Sequence, residues 1–122
     1  MKKILLIDDD LEFSQAVCTA LRRHGYEIYH ATNGLPGLSL YRQHRFDLVM
    51  SDILMPDSDG VEVILAIRKM DATIPIIAIS GGGLVTAETC ERIAKACGGN
   101  AFLNKPFDIS CLLVKINSMI GD

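Results

Sequence analysis

The chain has 122 residues, is 49% hydrophobic and 22% charged, and carries a formal net charge of -3. This composition excludes a disordered tail and leaves no basic footprint for nucleic acid or an anionic membrane surface, while the length suits one domain, 1-122, with a real core. No apolar run approaches the roughly 20 residues of a membrane span, and Met1-Lys2-Lys3 leads directly into a short apolar segment, so a cytoplasmic location is expected.

Lys3 to Asp8, KILLID, has the length and apolarity of a strand. Leu11 to Arg23 places Phe13, Ala16, Val17, Ala20 and Leu21 at helical spacing, with Asp10 a candidate cap before it and Gly25 a left-handed cap after it. Tyr26 to Ala31 has the aromatic and β-branched content of a second strand. Asn33 is placed to cap a second helix reaching about His44; Pro36 falls in its first turn, and Gly34 and Gly37 weaken it.

Phe46 to Ser51 is a short apolar run expected to be a strand buried on both faces, which leaves Asp52 at its carboxyl end. Met55-Pro56 stops it, and Asp59-Gly60 opens a third helix carrying Val61, Leu65 and Met70. Ile74 to Ser80 is the most apolar strand, with Pro75 at its start, where no ladder hydrogen bond is lost. Gly81-Gly82-Gly83 is a loop, and Thr86 with Glu88 and Glu91 starts a fourth helix that ends before Gly98-Gly99. Ala101 to Lys105 is the last strand, Pro106 ends it, and Asp108 caps a final helix from about Ile109 to Ile120. Strict alternation of strands and helices predicts an α/β, doubly wound parallel sheet covered on both sides.

The four cysteines, Cys18, Cys90, Cys97 and Cys111, form no pair at metal-ligand spacing and are read as small packed hydrophobes with reduced thiols. His24, His30 and His44 are scattered near element ends and are read as solvated surface.

The polar residues at the carboxyl ends of the strands are Asp8-Asp9-Asp10, Asp52, Ser80 and Lys105-Pro106. In a doubly wound sheet these ends meet at one edge, where ligands bind. Clustered carboxylates repel one another, and a site that tolerates them usually holds a hard divalent cation; Mg²⁺ suits a few carboxylates, waters and phosphate oxygens. The chemistry points to phosphoryl transfer onto a carboxylate, with Asp52 the nucleophile, Asp8 and Asp9 on the metal, and Lys105 and the Ser80 hydroxyl facing phosphoryl oxygens.

The segments LLIDDD, FDLVMSDILMPDSDG, IIAIS and AFLNKPF, in that order, resemble the receiver domain of two-component response regulators, the family that includes single-domain chemotaxis regulators. The resemblance implies a flavodoxin-like five-stranded sheet of order 2-1-3-4-5 with five helices. It implies that Asp52 is the phosphoacceptor, Asp8 and Asp9 the acidic pair (Asp9 the more direct metal ligand), and Leu54 a metal ligand through its backbone carbonyl. Ser80 takes the position of the switch hydroxyl, Lys105 that of the family's lysine, and Phe102 that of the aromatic switch. In the family, phosphorylation draws the hydroxyl toward the phosphoryl group and turns the ring inward, remodelling the surface of the fourth helix, fifth strand and fifth helix.

Two departures stand out. The aromatic is Phe102 rather than Tyr, so an outward ring has no hydroxyl to donate, and the ring is expected to be partly packed in every state. The loop Gly81-Gly82-Gly83 is expected to be mobile without phosphate and to leave an acyl phosphate open to water. Two other readings compete. Asp8-Asp9-Asp10 resembles the opening of haloacid-dehalogenase-type phosphohydrolases, with Asp8 as nucleophile, although Leu11-Glu12 departs from that pattern and no cap domain fits. A receiver that serves only as a docking module is the other.

The expectation is a stand-alone receiver that is a signalling phosphoacceptor rather than an enzyme. It takes its phosphoryl group from a sensor histidine kinase or histidine phosphotransfer protein with Mg²⁺, and acts on a downstream protein, not nucleic acid or membrane, as a monomer or phosphorylation-dependent dimer.

Overall fold

The computed structural model describes residues 1–55, 60–81 and 85–121. Among them, five strands alternate with five helices: β1 Lys3–Ile7, α1 Leu11–Arg23, β2 Glu27–Ala31, α2 Gly34–Gln43, β3 Leu48–Asp52, α3 Gly60–Met70, β4 Ile76–Ser80, α4 Ala87–Cys97, β5 Ala101–Asn104 and α5 Ile109–Ile120. The strands form one sheet in the order β2-β1-β3-β4-β5, and every neighbouring pair is parallel. This is the expected doubly wound architecture.

Side-chain alternation along each strand divides the core in two. Leu5, Ile7, Val49, Ile76 and Ala78 face the layer of α2, α3 and α4, where Val63, Ile64, Ile67, Cys90 and Ala94 are buried. Ile4, Leu6, Leu48, Met50, Ile77 and Ile79 face Val17, Leu21, Leu112 and Ile116 of α1 and α5. β3 and β4 are buried at every position, which is why their sequences read as unbroken apolar runs.

Helix ends follow the capping residues. Asp10, Asn33 and Thr86 accept hydrogen bonds from the N–H groups of Phe13, Leu35 and Thr89, while Asp108 occupies the cap position of α5 without a side-chain bond. Gly25 at φ 88° and Gly98 at φ 111° supply the left-handed residues after α1 and α4. Gly37, a poor helix former in isolation, lets α2 pack directly on β1: a Cβ there would lie 2.6 Å from Ile7 Cδ1.

The structure corrects several expectations. Phe46 lies outside β3, in an aromatic cluster with Tyr29, Tyr41 and His44, and the strand instead runs through Asp52. Asp47, just before β3, still bonds β1 through its backbone, its N–H donating to the Lys3 carbonyl at 2.8 Å, while its carboxylate accepts the Lys3 N–H at 2.7 Å. Tyr26 and Lys105 likewise fall just outside their strands. All four cysteines are free, and three are buried, but Cys111 is exposed on α5. His24 is exposed as expected, whereas His30 and His44 are half-buried: His30 Nε2 bonds the Asp8 carbonyl at 2.9 Å and the His44 ring packs 4.5 Å from that of Tyr29. The expected Pro56 stop, the Asp59 helix start and the mobility assigned to Gly82-Gly83 lie outside the described residues. No described helix is long and apolar enough to cross a membrane.

Candidate functional site

The carboxyl edge of the sheet collects the polar residues that the strands deliver there. Asp8 follows β1, Asp52 ends β3, Ser80 ends β4, and Lys105 follows β5. β1 and β3 are adjacent, and successive strands lie on opposite sides of that pair, so Asp8 and Asp52 sit where the strand order reverses. An oxygen from each of Asp8, Asp9 and Asp52 falls within 4.8 Å of the others.

Asp8 is completely buried and Asp52 is 4% exposed, whereas Asp9 faces solvent. Lys105 Nζ enters between the two buried carboxylates, 2.8 Å from Asp8 Oδ2 and 3.4 Å from Asp52 Oδ2. Each of these carboxylates also accepts a backbone bond: Asp10 N–H to Asp8 Oδ1 at 2.9 Å, and Leu54 N–H to Asp52 Oδ1 at 2.8 Å. Those bonds fix both side chains with one oxygen turned toward the ammonium.

One ammonium faces two buried carboxylates, and the imbalance is felt at Asp52. Burial raises its carboxyl, the Leu54 N–H opposes the rise, Asp8 adds to it and Lys105 counters it, leaving the group pushed up to about 6. Burial alone would lower the Lys105 ammonium, but Asp8 and then Asp52 more than offset this and hold it above its ordinary value. Asp8 Oδ2, buried and close to Lys105, has no partner in hydrogen-bond geometry. A buried carboxylate oxygen with coordinating capacity, flanked by two more, fits a hard oxygen-seeking cation such as Mg²⁺.

The remaining expected residues surround this cluster. Ser80 is fully buried with its Oγ 3.3 Å from Cys90 Sγ, and its carbonyl accepts the Lys105 N–H at 2.7 Å. Leu54 is 38% exposed and touches the cluster through its N–H. Phe102 pairs with Ala78 in the sheet and is half-buried against the α2-α3-α4 core, so its ring is partly packed in this structure.

Three residues that sequence reasoning passed over complete the site. Phe13, on the first turns of α1, places its ring face 4.2 Å from Lys105 Nζ and meets Phe107 edge-on. Cys90, on α4, reaches Ser80. Gly60 begins α3 so close to β3 that a Cβ would overlap the Asp52 carbonyl oxygen and lie 2.6 Å from Ile53 Cα. Helical spacing marks Phe13 and Cys90 as inward-facing, yet says nothing of which polar group each meets; the glycine directly after Asp59 was the one visible signal of close approach.

Comparison with known proteins places this geometry. The family model described as the response regulator receiver domain matches residues 4–117. A probable transcriptional regulator, ycf29 of Pyropia yezoensis, is 37% identical over 98% of this chain and 53% of its own length. The CpxR homolog of Haemophilus influenzae, a transcriptional regulatory protein, is 31% identical over 98% of this chain and 51% of its own. The chain thus spans about half the length of the curated relatives it matches. Among solved structures, the Vibrio cholerae chemotaxis protein CheY4 superposes with a TM-score of 0.89 at 30% identity, covering 98% of this chain and 99% of the other. A CheY-like receiver domain protein from Methanospirillum hungatei gives 0.88 at 28% identity, with 97% and 92% covered.

Proposed function

The chain belongs to the response regulator receiver domain family, and on that premise we propose that it accepts a phosphoryl group on the Asp52 carboxylate. The observation that carries the reading is the approach of Lys105 Nζ to both Asp8 and Asp52 beside an acidic triad whose oxygens lie within 4.8 Å. The donor is a phosphohistidine of a sensor kinase or phosphotransfer protein: the P–N bond breaks, an Asp52 Oδ–P bond forms, and the imidazole leaves with its electron pair and takes up a proton.

Each residue has a task in that transfer. Asp52 is the nucleophile, held in place through Oδ1 by the Leu54 N–H so that Oδ2 faces the incoming phosphorus. Lys105 stabilises charge on an equatorial phosphoryl oxygen, and the Ser80 hydroxyl donates to another. Asp8, Asp9, Asp52 and the Leu54 carbonyl are the groups that would hold Mg²⁺. When bound, the ion neutralises negative charge shared by the carboxylates and the phosphoryl oxygens.

Movement of Ser80 toward the phosphoryl group, with inward settling of Phe102, alters the surface of α4, β5 and α5. A protein partner reads that surface, and a phosphorylation-dependent dimer is one such partner. The net charge of -3 gives no basic footprint for nucleic acid or an anionic membrane, which leaves a protein as the target. The chain promotes only its own phosphorylation and dephosphorylation. The hydrolase reading is set aside, because Asp8 is wholly buried against Lys105 and the receiver family accounts for residues 4–117.

Intact mass after incubation with acetyl phosphate tests the reading. The expected result is one added phosphoryl group in the presence of Mg²⁺, none with chelator and none in Asp52→Ala. No gain with either acetyl phosphate or a phosphohistidine donor would overturn it.

A further inference from the structure

We propose that Cys90 is a positioning residue for Ser80, its thiol holding the hydroxyl on α4 until a phosphoryl group draws it away; the inference deepens the receiver reading and rests on it. Both side chains are completely buried, Ser80 at the end of β4 and Cys90 in the first turn of α4, and their Oγ and Sγ atoms lie 3.3 Å apart. The Cys90 N–H is bonded to the Thr86 carbonyl, and Thr86 in turn caps α4, so the thiol is fixed to the helix frame. The contact therefore ties the hydroxyl that must move to the helix whose surface must change.

The chemistry of the pair makes the tie releasable. Sulfur is a weak hydrogen-bond acceptor and the thiol a weak donor, so breaking this bond costs little when the Ser80 hydroxyl turns to a charged phosphoryl oxygen, a far stronger acceptor. The thiol left behind remains in the apolar core that also holds Val63, Ile64 and Ala94, and as a weak hydrogen-bonding group it needs no replacement partner. A hydroxyl at position 90 would hold Ser80 more strongly. A methyl group would remove this partner from the hydroxyl and leave it readier to engage.

The test is the affinity of the Mg²⁺-loaded protein for beryllium fluoride, a non-transferable mimic of the phosphoryl group, in wild type, Cys90→Ser and Cys90→Ala. The expected order of tightness is Cys90→Ala, then wild type, then Cys90→Ser, with steps of about twofold to tenfold, the span of one net neutral hydrogen bond. In a Ser80→Ala background the three should converge. A packing role alone would leave the nearly isosteric Cys90→Ser unchanged, weaken Cys90→Ala most, and persist without the Ser80 hydroxyl; that pattern overturns the proposal.

The resting contact has its own readout, independent of phosphoryl chemistry. The infrared S–H stretch of Cys90, identified by its loss in Cys90→Ser, should shift in Ser80→Ala. An unchanged band overturns the inference even if phosphorylation proceeds. A shifted band in a protein that takes up neither beryllium fluoride nor phosphoryl groups would instead fault the receiver reading.

Discussion

Lys105 is held more closely by Asp8 than by Asp52, the residue proposed to react: Nζ lies 2.8 Å from Asp8 Oδ2 and 3.4 Å from Asp52 Oδ2. Asp8 is the more deeply buried partner, so the ammonium is anchored on Asp8 and can turn to a phosphoryl oxygen without leaving its main counter-charge. Removing it, as in Lys105→Ala, leaves two buried carboxylates facing each other. With chelator present at neutral pH, the variant should lose about 1–3 kcal/mol of stability in urea unfolding, less than for a wholly sealed pair because the lysine is partly exposed. Mg²⁺ should recover part of that loss, and phosphorylation should remain slow.

The raised carboxyl of Asp52 has a defined sign in stability. Its folded value of about 6 stands above the ordinary 3.8, so the folded state holds the proton more tightly, and stability falls as pH rises from about 4 through 6. Above that window the buried charge costs about 1–3 kcal/mol. Asp52→Asn should therefore be more stable than wild type at pH 7 with chelator, with the advantage vanishing below about pH 4. Urea titrations across that range check it; an Asn variant less stable at pH 7 would contradict the assigned burial cost.

Arg68 is a structural clamp far from the acidic edge. Its guanidinium donates to the Gly98 and Ile74 carbonyls at 2.9 and 2.7 Å and to Asn100 Oδ1 at 2.7 Å, joining the end of α3 to the turns before β4 and β5. Lysine lacks the planar fork needed to meet all three. Arg68→Lys should lower the unfolding free energy by about 1–3 kcal/mol while leaving the phosphorylated fraction of the folded protein unchanged.

Gly60 combines stability and function in one position. Because a Cβ would collide with the backbone of Asp52 and Ile53, Gly60→Ala must push α3 away from β3 or displace Asp52. The expected outcome is a loss of about 2 kcal/mol or more together with slower phosphorylation, despite alanine being the better helix former. Thermal unfolding and the acetyl phosphate reaction, followed side by side, read both effects.

The architecture was largely legible in the chain because local signals agreed with the global fold. Alternating strand and helix patterns, Asn33 and Thr86 as caps, Gly25 as a left-handed stop and Gly98 as the end of the fourth helix all lie where the sequence placed them. Phe46 misled because its apolar character continues the pattern of β3, while its ring is used against Tyr29 and Tyr41. Asp8, Asp52, Ser80 and Lys105 could be gathered from sequence since parallel strands bring their carboxyl ends to one edge. Contacts made across layers were not legible: neither Phe13 over Lys105 nor Cys90 against Ser80 has a local pattern, as each depends on how a helix rotates against the sheet.

The central claim is that Asp52, and no other carboxylate of the cluster, carries the phosphoryl group. The most direct measurement is borohydride reduction of protein freshly phosphorylated with acetyl phosphate and Mg²⁺, followed by peptide mass mapping. Reduction of an aspartyl phosphate leaves homoserine at the modified position. Homoserine at position 52 alone is the predicted result. Homoserine at position 8 or 9, with position 52 unchanged, would contradict the account.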